Sequence, residues 1–201
     1  MVIAHSRHSM QSQTGEFPEL LEADRRAILG VADSLIAKAG RTTLAMALRG
    51  SRAQRVLQHG VESARGYGHF AGVPQDVVLA RIDALIADDI LRLEYHDGFP
   101  LIVYSDRGLQ LAMRYAAEEW LAALRAQVPT VREGAALQFP PVLADIQGRN
   151  QNTALLLADM VGNEADSNWL PLLRVWAARE TRRVRGRLHP IITALEKMVA
   201  R

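Results

Sequence analysis

The residues best suited to chemistry are arginines grouped around a small turn. Arg49, Gly50 and Ser51 set a cation, a residue that admits close backbone approach and a hydroxyl side by side. Ser51 is read as opening a short helix, from whose first turns Arg52 and Arg55 project at a spacing of i, i+3. A duplex phosphate is held well by an arginine, a backbone N–H at a helix start and a neighbouring hydroxyl, because charge, helix dipole and donor geometry converge there. The chemistry to expect is anion binding.

Bond-making chemistry finds no such grouping. The chain has no cysteine, which excludes a disulfide framework and a thiolate zinc site. Its six histidines are scattered, no His/Asp/Glu set has metal-ligand spacing, and no nucleophile motif occurs. Gly40-Arg41-Thr42 lacks both the upstream glycine and the lysine of a phosphate-binding P-loop. An enzyme, a metal and a cofactor are therefore not expected.

Charge is segregated along the 201 residues although the net charge is only +2. Between Arg41 and His69 five arginines oppose Glu62, and between Arg174 and Arg187 six arginines oppose Glu180. From Asp76 to Asp97 the balance reverses, with six carboxylates against Arg81 and Arg92. Of the 24 cations, 22 are arginine, whose planar five-donor fork suits phosphate. In the last basic segment Arg179, Arg183 and Arg187 fall at i, i+4, i+8 and are read as one helical stripe, opposite Trp169 and Trp176, able to follow a second stretch of nucleic-acid backbone.

Elements to position these groups can be read from periodicity. Helical spacing runs from Pro18 to Ala39, interrupted by Gly30, and a short helix from Leu44 to Leu48 has Thr42 or Thr43 as its cap. Val78, Ile82, Leu85 and Ile86 line one face of a third helix that carries Asp76, Asp83, Asp88 and Asp89. From Ile90 the period changes to two, and His96-Asp97-Gly98 turns a hairpin that returns through Leu101 to Tyr104. Ser105 caps a long helix to about Gln127; further helices are read over residues 142–161, 169–187 and 188–200.

In order, Leu48-Arg49-Gly50-Ser51, Gly66-Tyr67-Gly68, Leu85-Ile86-Ala87-Asp88-Asp89-Ile90-Leu91, Phe99-Pro100-Leu101 and Ser105-Asp106-Arg107-Gly108 resemble the RQC domain, the winged-helix module that follows the motor of RecQ-type helicases. The resemblance covers about half of the chain, residues 18–113. Neither a motor nor the zinc subdomain that precedes RQC in those enzymes accompanies it, as in the free-standing proteins described as RQC-minor. It implies phosphate contacts from Arg49, Ser51 and Arg55, and an aromatic at the wing tip, Phe99, that stacks on a terminal base pair. The acidic third helix would repel phosphate, which disfavours reading of the major groove.

The resulting expectation is a mostly α protein: a winged helix of three helices and a short β-hairpin, then a small C-terminal helical unit. Its parts are a flexible N-terminus at residues 1–17, an RQC-like domain with closing helix at 18–127, a linker at 128–141 and a helical region at 142–201. The expected function is non-catalytic DNA binding selective for duplex ends, forks or junctions, through Arg49, Gly50, Ser51, Arg52, Arg55, Phe99, Arg179 and Arg183. A transcription regulator that dimerises, or an adaptor for a helicase or nuclease, is the competing reading; self-association would use the C-terminal helices. With no apolar block of secretory or membrane type, the expected location is cytoplasmic, or the nucleoid in a bacterium.

Overall fold

The computed structural model describes residues 20–131, 143, 144, 146 and 150–200. The expected N-terminal segment 1–17, most of the linker and the start of the helix read from Val142 lie outside the described residues. Two compact units divide the chain, one reaching Val103 and one starting at Tyr104. The expected domain boundary stood after residue 127, whereas this division assigns the long helix after the hairpin to the second unit.

In the first unit, α1 (Glu22–Leu35) buries Ile28, Val31, Ala32 and Leu35, four residues at helical spacing. It is shorter than the run of apolar residues suggested, because Ala37 takes a left-handed φ of 56° and turns the chain away. Gly30, which weakens the helix by intrinsic propensity, has a packing reason. A Cβ there would lie 2.4 Å from the Arg65 carbonyl, and one at Gly66 2.4 Å from that of Ala27, so two glycines let a loop cross α1 in backbone contact.

Helix α2 (Arg41–Leu48) starts at Gly40, and neither threonine caps it. A Cβ at Gly40 would meet the Pro100 carbonyl at 2.7 Å. The helix ends in a Schellman motif: Ser51 N–H donates to Met46 O at 3.0 Å and Gly50 N–H to Ala47 O at 2.9 Å, with Gly50 at φ 75°. Then come the single-turn α3 (Gln54–Leu57) and α4 (Gln75–Ala87), whose Val78, Ile82, Ala84 and Leu85 are buried.

The wing is β1 (Leu91–His96) and β2 (Phe99–Tyr104), a two-stranded sheet. Asp97 and Gly98 both have positive φ, 49° and 80°, which a two-residue type I′ hairpin turn requires. The base of the hairpin is anchored: Leu91 and Ile102 are buried, and Ile102 donates to Ala39 O and accepts from Ala37 N–H, each at 2.9 Å. The three longer helices α1, α2 and α4, with the single-turn α3 between the last two, and the hairpin make the expected winged helix.

The second unit is helical. Ser105 Oγ accepts the Gly108 N–H at 2.9 Å and so caps α5 (Asp106–Gln127), as read from sequence. Trp120, Leu121 and Leu124 of α5 share a core with Leu157 and Val161 of α6 (Gln151–Glu164), Leu172, Leu173 and Trp176 of α7 (Leu170–Arg179), and Val184, Leu188 and Leu195 of α8 (Arg182–Val199).

The helix expected over residues 169–187 is two helices. Glu180 is buried and extended, at ψ 161°; its carboxylate accepts the Trp176 Nε1–H at 2.9 Å and the Thr181 N–H at 3.2 Å. Thr181 then caps α8, its hydroxyl accepting the Val184 N–H at 3.5 Å. No break occurs at Leu188, and Pro190 lies inside α8.

Candidate nucleic-acid interface

The Schellman turn fixes what the arginine cluster can do. Arg49 is the C-cap of α2; its Nε donates to Val73 O at 2.7 Å, so one edge of this guanidinium holds the loop before α4. Gly50 does not open toward a ligand: a Cβ on it would lie 3.3 Å from the Gly68 Cα. Ser51 is not the helix cap, since α3 starts at Gln54 with Ala53 before it and the Ser51 hydroxyl accepts the Ala53 N–H at 3.4 Å. Its carbonyl accepts the Tyr67 hydroxyl at 3.1 Å. The convergence of helix dipole and hydroxyl expected at Ser51 is thus displaced to a structural turn.

The side chains beyond the turn are different. Arg52 and Arg55 are exposed, Arg55 resting one Nη on Met46 Sδ at 3.0 Å. Sequence reasoning put both on the first turns of a helix opened by Ser51; the structure has Arg55 in α3 and Arg52 on the extended stretch before it.

At the wing, Phe99 is 70% exposed and does not pack beneath the hairpin. Sequence reasoning missed a second aromatic there: Tyr95 is 74% exposed. The strand alternation placed Tyr95 with Leu91 and Leu93 on the buried face, and that held it back as a candidate. Only the length of the hairpin beyond its anchor at Ile102 carries Tyr95 clear of the core.

One acid of α4, Asp83, and one just beyond its end, Asp89, are paired within this unit. Arg41 pairs with Asp83, and Arg92 holds Asp89 through two bonds of 2.7 and 3.1 Å. Arg81, the one cation of α4, pairs at 3.3 Å with the buried Asp24, which also bonds His69 Nε2 at 3.0 Å, and lies 4.6 Å over the Phe70 ring. The helix that would enter a major groove therefore presents no cation arranged for phosphate.

In the second unit the expected stripe of three arginines is broken between α7 and α8. Arg179 is the last residue of α7, while Arg183 lies in the first turn of α8. Arg187 is bonded to Asp159, and this hydrogen bond, followed by the carboxylate's charge, raises its pKa further. Arg185 serves the chain break, donating to Ala177 O at 3.0 Å and Glu180 O at 2.9 Å. Arg183 remains exposed beside Arg182.

Among the described residues no group of three or more His, Asp or Glu side chains is gathered as a metal site would require, and no helix is long and apolar enough to cross a membrane. No curated protein matches the chain, and no solved structure does. A family model does: that of the RQC domain, over residues 22–120, from the start of α1 into α5. That family is a winged-helix DNA-binding module, and the helices, glycine turn and wing described above are its elements in its order. Residues 22–120 of this chain are an RQC domain.

Proposed function

We propose that the protein is a non-catalytic DNA-binding protein selective for duplex ends, forks or junctions. Arg52 and Arg55 contact the phosphate backbone, Arg49 and Ser51 fix the turn that aims them, and the wing offers Phe99 to the end of the duplex. The observation that carries this reading is the pairing of two exposed arginines with an exposed aromatic wing in one unit, while the nominal recognition helix is acidic. Backbone contacts supply affinity without sequence information, and stacking on an unpaired or terminal base favours ends over continuous duplex. Arg183, with Arg182 beside it and Arg179 on the preceding helix, is a further backbone contact in the second unit.

The test is fluorescence anisotropy with duplex, forked, junction and single-stranded DNA at two salt concentrations. The reading expects tight, salt-sensitive binding to forks or junctions that Arg52→Ala/Arg55→Ala weakens. Binding that ignores salt, or no binding to any of these substrates, would overturn it. One observation favours a second reading, an adaptor for a helicase or nuclease. The second unit has a groove of about 840 Å³ whose lining includes Val128, Leu170 and Val199 together with Asn168, Arg174 and Glu196. A chain that binds no DNA yet captures such a partner would support it.

A further inference from the structure

The chain has no cysteine, so its thioethers are its readiest sites of oxidation. Among the described residues these are Met46, Met113, Met160 and Met198. Met198 is exposed near the end of α8, Met160 packs against the core of the second unit, and the Met113 sulfur takes a long bond of 3.9 Å from the Asn150 amide. Met46 differs from these. One Nη of Arg55 donates to its Sδ at 3.0 Å, and the guanidinium has no other hydrogen-bond or ion-pair partner among the described residues.

The contact is held from both ends. Met46 lies in the last turn of α2, where its carbonyl accepts the Ser51 N–H at 3.0 Å within the Schellman motif. Arg55 lies in the single turn of α3. The Met46 side chain therefore bridges the glycine turn and meets a cation assigned to phosphate, at a half-buried position whose bond to Arg55 lies at the surface. A thioether sulfur is a weak acceptor, so it steadies Arg55 without retaining it against an anion. Oxidation puts a polar oxygen on that sulfur, and an ionised donor such as a guanidinium bonds oxygen strongly.

We propose that Met46 is an oxidative modification site that controls Arg55. The oxidant is of the peroxide class and transfers one oxygen atom. The sulfur lone pair forms the S–O bond as the O–O bond breaks, and the proton on the transferred oxygen passes to the departing hydroxide to give water. Sulfide is thereby oxidised to sulfoxide and hydrogen peroxide reduced to water. The new oxygen retains the Arg55 guanidinium, and the DNA loses one phosphate contact. A sulfoxide reductase with a dithiol reverses the step, the oxygen leaving as water while the dithiol becomes a disulfide. The inference rests on the DNA-binding reading above, and within it on Arg55 as a phosphate contact.

The experiment treats the full chain with hydrogen peroxide, removes the oxidant with catalase and locates the added oxygen by peptide mass spectrometry. A blunt duplex is then titrated by anisotropy over a fourfold range of salt. Oxidised wild type should bind as Arg55→Ala does, roughly tenfold more weakly than untreated wild type at the low-salt end, with a salt slope shallower by about 0.9. Reductase with dithiothreitol should restore both. Met46→Leu cannot gain the oxygen and should bind alike before and after treatment, and Arg55→Ala should show no further loss. An equal loss in Met46→Leu would place the effect at another methionine, and an equal further loss in Arg55→Ala would place it in the fold; either overturns the proposal. So does unchanged binding by wild type whose Met46 carries the oxygen, or a Met46 that stays reduced while Met198 is converted. If Arg55→Ala lowers the slope and oxidation does nothing, the DNA-binding reading stands and the modification alone falls. If Arg55→Ala leaves the untreated slope unchanged, both fall at this residue. Thermal melting of the oxidised chain, expected to match that of the reduced chain, verifies that the fold is intact.

Discussion

Replacing Arg52 and Arg55 by alanine should change how binding depends on salt more tellingly than it changes affinity at any one salt. Both side chains are exposed, and neither anchors a buried element, so the variant keeps its fold. Each arginine that neutralises a phosphate releases counterions and adds about 0.9 to the slope of log K against log salt. Two such contacts add about 1.8, which over a fourfold rise in salt is a loss of about twelvefold carried by this pair alone. Anisotropy titrations of a blunt duplex across that range should therefore give a wild-type line steeper than the variant line by about 1.8. Arg174→Ala, in the second unit and paired with Glu196 at 2.9 Å, should leave the slope unchanged. Parallel lines for wild type and Arg52→Ala/Arg55→Ala would show that these arginines meet no phosphate, whatever the affinities, and would refute the proposed interface.

Other expectations concern the turns that aim these groups. Gly66→Ala drives a Cβ to 2.4 Å from the Ala27 carbonyl at a φ of 96°, and should cost about 3 kcal/mol or more in urea unfolding, with Gly50→Ala, at a 3.3 Å contact and φ 75°, costing about 1 to 2. Ala37→Gly, which relieves a left-handed φ of 56° at an exposed position, should raise stability by about 1 kcal/mol, visible as a higher Tm. Glu180→Ala strands the buried Trp176 Nε1–H and should cost about 1 to 3 kcal/mol, with a shift in tryptophan emission as water or a new partner reaches the indole.

The elements of the first unit were legible because periodicity and turn chemistry agree there. Asp97-Gly98 announced the hairpin, and Val78, Ile82 and Leu85 the buried face of α4, as Ser105 announced the cap of α5 at the start of the second unit. The boundaries that shifted did so for tertiary reasons. Gly40 starts α2 because Pro100 lies against it, and α1 stops early because residues 37–39 bond to Ile102 of the wing. Neither contact leaves a local signature. In the tail, the boundary read between Arg187 and Leu188 is absorbed by α8, while the actual break at Glu180 is set by a buried carboxylate and a tryptophan N–H. The stripe of Arg179, Arg183 and Arg187 depended on that boundary, so it failed with it.

The motif that identifies the family and the residues proposed to bind DNA are largely different residues, and the structure gives the reason. Leu48 is fully buried, and its carbonyl accepts the Phe70 N–H at 2.8 Å. Gly50 and Gly68 meet backbone to backbone at φ values of 75° and 73°, and the Tyr67 hydroxyl closes onto Ser51 O. Leu48-Arg49-Gly50-Ser51 and Tyr67-Gly68 are thus two halves of one lock, which joins the end of α2 to the loop before α4. A lock of this kind tolerates little, because left-handed φ values and close backbone contact admit only glycine at low cost. Arg52, Arg55, Tyr95 and Phe99 stand outside it on exposed positions where the fold demands no particular side chain. Gly68→Ala, at φ 73° with its Cβ at 3.7 Å from the Gly50 Cα, should accordingly lower stability by about 1 to 2 kcal/mol and lower DNA binding only as far as the lock loosens. Arg52→Ala should lower binding at unchanged stability, and a variant set in which the two effects could not be separated would mean that the lock itself touches the DNA.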